Sequence, residues 1–180
     1  LEKLYDIAAL DNYSSSPKLN YTNCEFGETM HENILSGMQF LSAFSFNDLD
    51  KDEFMKQALT NLVMHEVGHT FGLNHNFIAS QMNTKEQMQD KEYCKKNGLT
   101  ASVMDYTIAN ISPDKNKQGL FFDDQPGVYD RWAIQFGYMQ EENDVKLEEA
   151  IKKTIALSSN PNYRFFNDAD DMRSAGKGID

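Results

Sequence analysis

Cysteine is scarce in this chain: Cys24 and Cys94 are the only two in 180 residues, single and far apart, with no CxxC spacing. That excludes a cysteine-rich structural metal site and leaves either one disulfide or two buried thiols. Basic residues are also few, 17 Lys and Arg against 28 Asp and Glu, for a formal net charge of −11. A nucleic-acid partner needs a basic face for phosphate contacts, so that class of function drops out, and the acidity mainly gives solubility. No apolar run reaches the roughly 18 residues of a membrane span. The opening stretch, LEKLYDIAAL, lacks the apolar core of a signal peptide and an initiator methionine. The chain therefore reads as an internal fragment, and the missing leader says nothing about where a whole protein would go. Internal repeats, low-complexity tracts and linkers are absent too. One domain suffices, since a chain of this length buries about 70% of its unfolded surface around a single core.

What is present is a concentration of histidine. Three of the four histidines fall within HEVGHTFGLNH, residues 65 to 75. A helix turns about 100° and rises about 1.5 Å per residue, so His65 and His69 lie one turn apart, and their imidazoles can meet one ion. Glu66 sits about 100° round from His65, able to reach a water on that ion without ligating it. His75 is six residues past His69, and a continuing helix would swing it about 240° away. The helix must stop, and Gly72 is the residue that ends it in the left-handed conformation at little steric cost. Three neutral imidazoles with an open fourth position describe a catalytic zinc site, whereas a structural zinc would be closed by a fourth protein ligand, usually cysteine. A bare HExxH arises by chance; with five positions specified, a chance match in this length falls to the order of one in ten thousand.

A second stretch, SVMDY at residues 102 to 106, follows about thirty residues after His75. HExxHxxGxxH followed by a methionine-containing turn resembles the metzincin signature. The resemblance implies that Met104 forms an apolar floor under the three histidines, although a methionine alone is usually core filler and this chain has nine. Tyr106 matches the tyrosine of the astacin-like and serralysin-like branches, where a phenol stabilises the tetrahedral intermediate; the plain alternative is a tyrosine packing on the turn. Asp105 departs from the histidine those branches often carry, and Asn76, after the third ligand, fits no usual branch marker. HEVGHTFGLNHNFIAS, SVMDYTIANIS and VYDRWAIQFGY together look more like the bacterial Met-zincin family of large exported metalloproteases, over about residues 55 to 140 and weakly onward to YRFFNDADD. The resemblance implies a zinc-dependent endopeptidase. Zinc lowers the pKa of a bound water, Glu66 takes the proton as general base and returns it to the leaving amine as general acid, and zinc with Tyr106 holds the oxyanion. It implies a protein or peptide substrate and a secreted or cell-envelope location. Two competing readings remain: a degenerate, zinc-stabilised binding module of a cell-surface protein, and a hydrolase of a non-peptide amide.

The rest of the chain reads as mostly helical. Residues 1–30 are polar and broken by SSSPK, irregular with one short strand. Met30, Ile34, Leu35, Met38 and Leu41 recur at helical spacing and predict an amphipathic helix over 29–44, with Gly37 a mild weakness. His31 falls there with no partner motif and reads as a surface or satisfied core residue. Asp50 or Asp52 caps the next helix, which runs to about Leu73. Asp48, Asp50 and Asp52 resemble the opening of a calcium loop, but Glu53 replaces the required glycine and Leu59 the closing glutamate, so calcium is rejected. A polar helix over 84–97 ends at Gly98, and residues 107–124 look irregular. A helix over about 126–136 puts Val128, Trp132, Ala133 and Phe136 on one face, and a later one turns Leu147, Ile151 and Ile155 inward. The tail from Asn167 is acidic and loose. The expected fold class is α+β and metzincin-like: 1–49 the end of an upper half, 50–75 the active-site helix and third ligand, 76–180 a lower half with the Met-turn at 102–106. Only 64 residues precede His65 and they read mainly as helix, so most of the upper sheet is expected to be encoded upstream.

Overall fold

The computed structural model describes residues 24–44 and 46–167. Two long helices lead, α1 (Phe26–Ala43) and α2 (Asp48–Thr70). Phe26, Met30, Asn33, Gly37 and Leu41 form the buried stripe of α1, spaced three or four apart as one helix face requires. In α2 the buried positions include Phe54, Ala58, Asn61 and His65, so the stripe that docks on α1 runs straight into the histidine motif. Asn47 starts α2 by a reciprocal capping box: its side chain accepts from the Asp50 N–H, and the Asp50 carboxylate accepts from the Asn47 N–H. Asp50 is thus the third residue of the helix, and the cap lies three positions before it. The α1–α2 contact explains Gly37, where a β-carbon would come within 2.4 Å of the Phe54 ring. The glycine read as a weakness is what lets the two helices approach.

Four shorter helices follow: α3 (Lys85–Met88), α4 (Lys91–Asn97), α5 (Val128–Tyr138) and α6 (Asp144–Ala156). The polar helix expected over 84–97 is broken in two because the Asp90 side chain accepts from the Glu92 and Tyr93 N–H groups and starts a new helix. No strand occurs among the described residues; the strand expected in 1–30 could only fall in the undescribed residues 1–23, and the loose tail after Asn167 also lies outside the described residues. Leu35 and Ile155, both expected to face inward, are about half exposed, and Thr154 takes the buried place on α6. Phe136 is also largely exposed, stacked on Trp132 at 6.2 Å. Trp132 itself is half-buried and donates to the Thr154 carbonyl, joining α5 to α6. His31 is exposed, as a surface histidine would be.

The main core gathers Phe26, Met30, Leu41, Phe46, Phe54 and Phe122. Residues 121 and 122 reach it from the long connection between α4 and α5, because the buried Gln57 amide oxygen accepts from both of their N–H groups, at 2.7 and 3.3 Å. A buried, irregular connection needs partners for its backbone polar groups, and two aspartates provide them. Asp123 accepts from the N–H groups of Leu99 and Thr100 and from the Thr100 hydroxyl. Asp130, in the first turn of α5, accepts from the Ser102 hydroxyl and from the N–H groups of Val103 and Gly127. Segment 99–105 is thereby held in one conformation against the C-terminal half of α2.

Candidate metal centre

Helix α2 ends where the histidine spacing requires. Gly72 adopts φ +83°. The Gly72 N–H donates to the His69 carbonyl and the Leu73 N–H to the Gly68 carbonyl, the paired bonds of a Schellman cap. The chain turns back, and His75 comes to the two helical histidines: ring centroids lie 4.8 Å apart for His65 and His69, 4.9 Å for His69 and His75, and 5.3 Å for His65 and His75.

Two backbone carbonyls orient the rings. Val103 C=O lies 2.8 Å from His65 Nδ1, and Leu73 C=O lies 3.0 Å from His69 Nδ1. A carbonyl can only accept, so each Nδ1 carries a proton, and in the neutral ring Nε2 is left with a lone pair. This is the arrangement that backbone carbonyls impose on metal-ligating histidines. His69 Nε2 is buried with no hydrogen-bond partner, an orphan that a metal ion would satisfy. Burial lowers the His65 imidazole to about 4, assisted by the neighbouring His69 and His75 and opposed by the Val103 hydrogen bond. The ring is therefore neutral at pH 7, the form that ligates.

A fourth donor stands in the cluster. Cys24, just before α1, brings its sulfur to 3.4 Å from His65 Nε2. The ligand atoms of Cys24, His65, His69 and His75 all lie within 4.8 Å of one another. At the sequence level Cys24 stands 41 residues from His65 with no second ligand beside it, so spacing gave no reason to place it there. Packing supplies the reason: Phe26 stacks on the His65 ring at 4.0 Å and carries the two residues before it over the site. Cys94 is elsewhere, fully buried, its thiol donating to the Gln87 carbonyl.

The Tyr106 hydroxyl also belongs to the cluster. It accepts from the Glu25 N–H at 3.0 Å and lies 3.3 Å from both Cys24 Sγ and His75 Nε2. Glu66 is exposed, with a carboxylate oxygen 3.8 Å from Cys24 Sγ. Met104 is fully buried under α2, and a β-carbon on Gly68 would fall 2.4 Å from its sulfur.

Asn76, set aside as fitting no branch marker, has a structural role. Its N–H donates to the Met104 carbonyl, its amide nitrogen to the Arg164 carbonyl, and its amide oxygen accepts from the Phe166 N–H. It ties the Met-turn to the C-terminal segment. Asp105, in place of the expected histidine, is buried and accepts from the Ser80 N–H, with burial raising its pKa. Neither role leaves a spacing signal, because each partner is 25 or more residues away.

Comparison with known proteins returns no matching curated protein and no matching solved structure. A family model described as Met-zincin matches residues 47–180, well over half of the sequence and all of the histidine motif and Met-turn, and the chain belongs to that family.

Proposed function

We propose that the protein is a zinc-dependent endopeptidase, with His65, His69 and His75 as metal ligands and Glu66 as the proton carrier. Membership in the Met-zincin family implies a metallopeptidase with a bound metal. The observation that carries the finer reading is the convergence of three imidazoles on one point, with two of their Nε2 lone pairs set by backbone carbonyls. Three imidazole nitrogens suit zinc over calcium or magnesium, which take oxygen ligands. Zinc bound there would act as a Lewis acid and bring the pKa of a coordinated water to about 7.

The chain's own groups then have separate tasks. The Glu66 carboxylate takes a proton from the attacking water and delivers it to the leaving amine nitrogen. The Tyr106 hydroxyl donates a hydrogen bond to the substrate carbonyl oxygen as that atom gains charge. Met104 and Gly72 act on geometry alone, one beneath the helix and one at its end. The mixed sheet and edge strand of a metzincin upper half are a further expectation of this reading, to be sought outside the described residues.

Glu66→Gln tests the assignment. With zinc content unchanged, cleavage of a mixed peptide library should fall by about 10²–10⁴-fold, the usual size of a general acid–base contribution. Retained cleavage with zinc bound would overturn it. Chelation should abolish cleavage in the parent. A zinc-stabilised binding module is the second reading, favoured by the Cys24 sulfur in the cluster; it expects no cleavage at all.

A further inference from the structure

We propose that Cys24 is the fourth metal ligand of the resting protein, so that the centre is closed by its own chain and hydrolysis requires the sulfur to leave. Metal–nitrogen and metal–sulfur bonds of about 2.0–2.3 Å in a tetrahedron put neighbouring ligand atoms about 3.3–3.8 Å apart. The 3.4 Å between Cys24 Sγ and His65 Nε2 falls inside that range, and all four donor atoms lie within 4.8 Å of one another. His69 Nε2 is buried without a hydrogen-bond partner, a lone pair that an ion among these donors would satisfy.

The surroundings of the sulfur argue for a latch over a permanent structural ligand. Cys24 Sγ is 3.4 Å from His65 Nε2, 3.3 Å from the Tyr106 hydroxyl and 3.8 Å from a Glu66 oxygen. Those are the groups that must surround a substrate carbonyl and its attacking water, so one sulfur occupies the reacting centre. The next residue reinforces the block, because the Glu25 N–H already engages the Tyr106 hydroxyl. A purely structural site has no use for an exposed carboxylate and a phenol aimed at its fourth ligand. Opening needs only Cys24 and Glu25, the two described residues ahead of α1, to withdraw: Cys24 is half-buried, while the helical histidines are held by the α2 cap and the Met-turn. On binding, the thiol proton goes to solvent and a metal–sulfur bond forms; on opening, that bond breaks without oxidation or reduction.

The ligation arm is independent of the endopeptidase reading, and the latency arm rests on it. X-ray absorption of the zinc-loaded chain should show a sulfur neighbour at about 2.3 Å beside nitrogen at about 2.0–2.1 Å. Cobalt(II) in place of zinc should give a sulfur-to-metal charge-transfer band. Cys24→Ala should lose both signals while still holding one metal per chain; identical spectra in the two proteins would overturn the ligation. Because that variant could fold poorly, the parent provides a second measurement, alkylation by iodoacetamide, in which a carbon–sulfur bond forms and iodide leaves. Metal should slow modification of Cys24 by about tenfold or more, as expected when the reactive thiolate is engaged, and equal rates with and without metal would also overturn it. If the closed state dominates by about ten to one, Cys24→Ala should cleave peptides about tenfold faster than the parent. A metal-loaded Cys24→Ala no faster than an active parent overturns latency. A metal-loaded Cys24→Ala with no peptidase activity at all overturns the endopeptidase reading, and sulfur ligation is then decided by the spectra alone.

Discussion

Gly68 has no room for a methyl group. It occupies an unspecified position of the histidine motif, yet a β-carbon there would sit 2.4 Å from Met104 Sδ. Met104 is fully buried, so the thioether cannot swing into solvent to make space. Gly68→Ala should therefore destabilise the fold by about 1–3 kcal/mol, as overpacking does, and weaken metal binding, because the Val103 carbonyl that holds His65 precedes Met104 directly. Thermal melts of the metal-free and metal-loaded variant check both effects. A melt equal to the parent's would mean the methionine is not wedged. Tyr106→Phe separates chemistry from packing at the same scale. The ring stays against Phe26 and His75, so stability should drop by only about 1 kcal/mol for the lost hydroxyl contacts. Turnover should fall by about 10²-fold with zinc content unchanged; undiminished turnover would leave Tyr106 as a packing residue. The sequence made the histidines and Glu66 readable as candidates because helical periodicity and motif spacing are local, whereas Met104 and Tyr106 were reached only through the family resemblance. Cys24, Gly68 and Asn76 were not readable, since their partners are distant along the chain and nothing in spacing records a distant contact.

At the scale of elements, the end of α2 decides whether three histidines meet. Gly72 at φ +83° is the turning point, and a residue with a β-carbon pays about 1–2 kcal/mol in that conformation. In Gly72→Ala the strain can be relieved by extending the helix, which carries His75 away from His65 and His69. The metal-free protein should lose about that 1–2 kcal/mol, and zinc affinity should fall by about tenfold or more, since a preformed site is lost along with it. Competition with a chromogenic chelator measures the affinity; an unchanged value would show that the turn tolerates a side chain. Boundaries of α1, α2 and α5 were legible to within a few residues because apolar periodicity is a local signal, while the α2 cap was displaced because Asp50 is the capping-box partner of Asn47 and not the cap. The split into α3 and α4 was missed because Asp90 as an N-cap competes with helix continuation inside one polar stretch. The role of α5 was missed for a different reason. Its amphipathic face was visible, but the carboxylate of Asp130 at its start, which fixes segment 102–103, looks in sequence like any acidic first turn.

For the molecule as a whole, the net charge of −11 conceals an uneven distribution of carboxylates. Most are on the surface, while Asp105, Asp123 and Asp130 are buried, and burial raises the pKa of all three. Asp123 and Asp130 hold residues 99–103 and Asp105 lies within the Met-turn itself, so the protonation of the interior is tied to the geometry of the segment beside the histidines. Asp123 gives the clearest consequence. Burial lifts it from 3.8 to about 7, against the donors from Thr100 and Leu99 that favour its charged form. In the unfolded chain it releases its proton near pH 4; in the folded chain it keeps the proton to about pH 7. Between those values the folded state binds more protons, so the stability from this group is complete below about pH 4 and is lost as pH rises through about 7. Asp123→Asn cannot titrate. The variant should be less stable overall, because an amide cannot accept from all three donors, but the parent's advantage over it should shrink steadily between about pH 4 and 7. Denaturant unfolding of both proteins across that range gives the difference directly, and surface carboxylates common to the two cancel. A constant difference would mean that Asp123 is ionised throughout, with its hydrogen bonds outweighing burial.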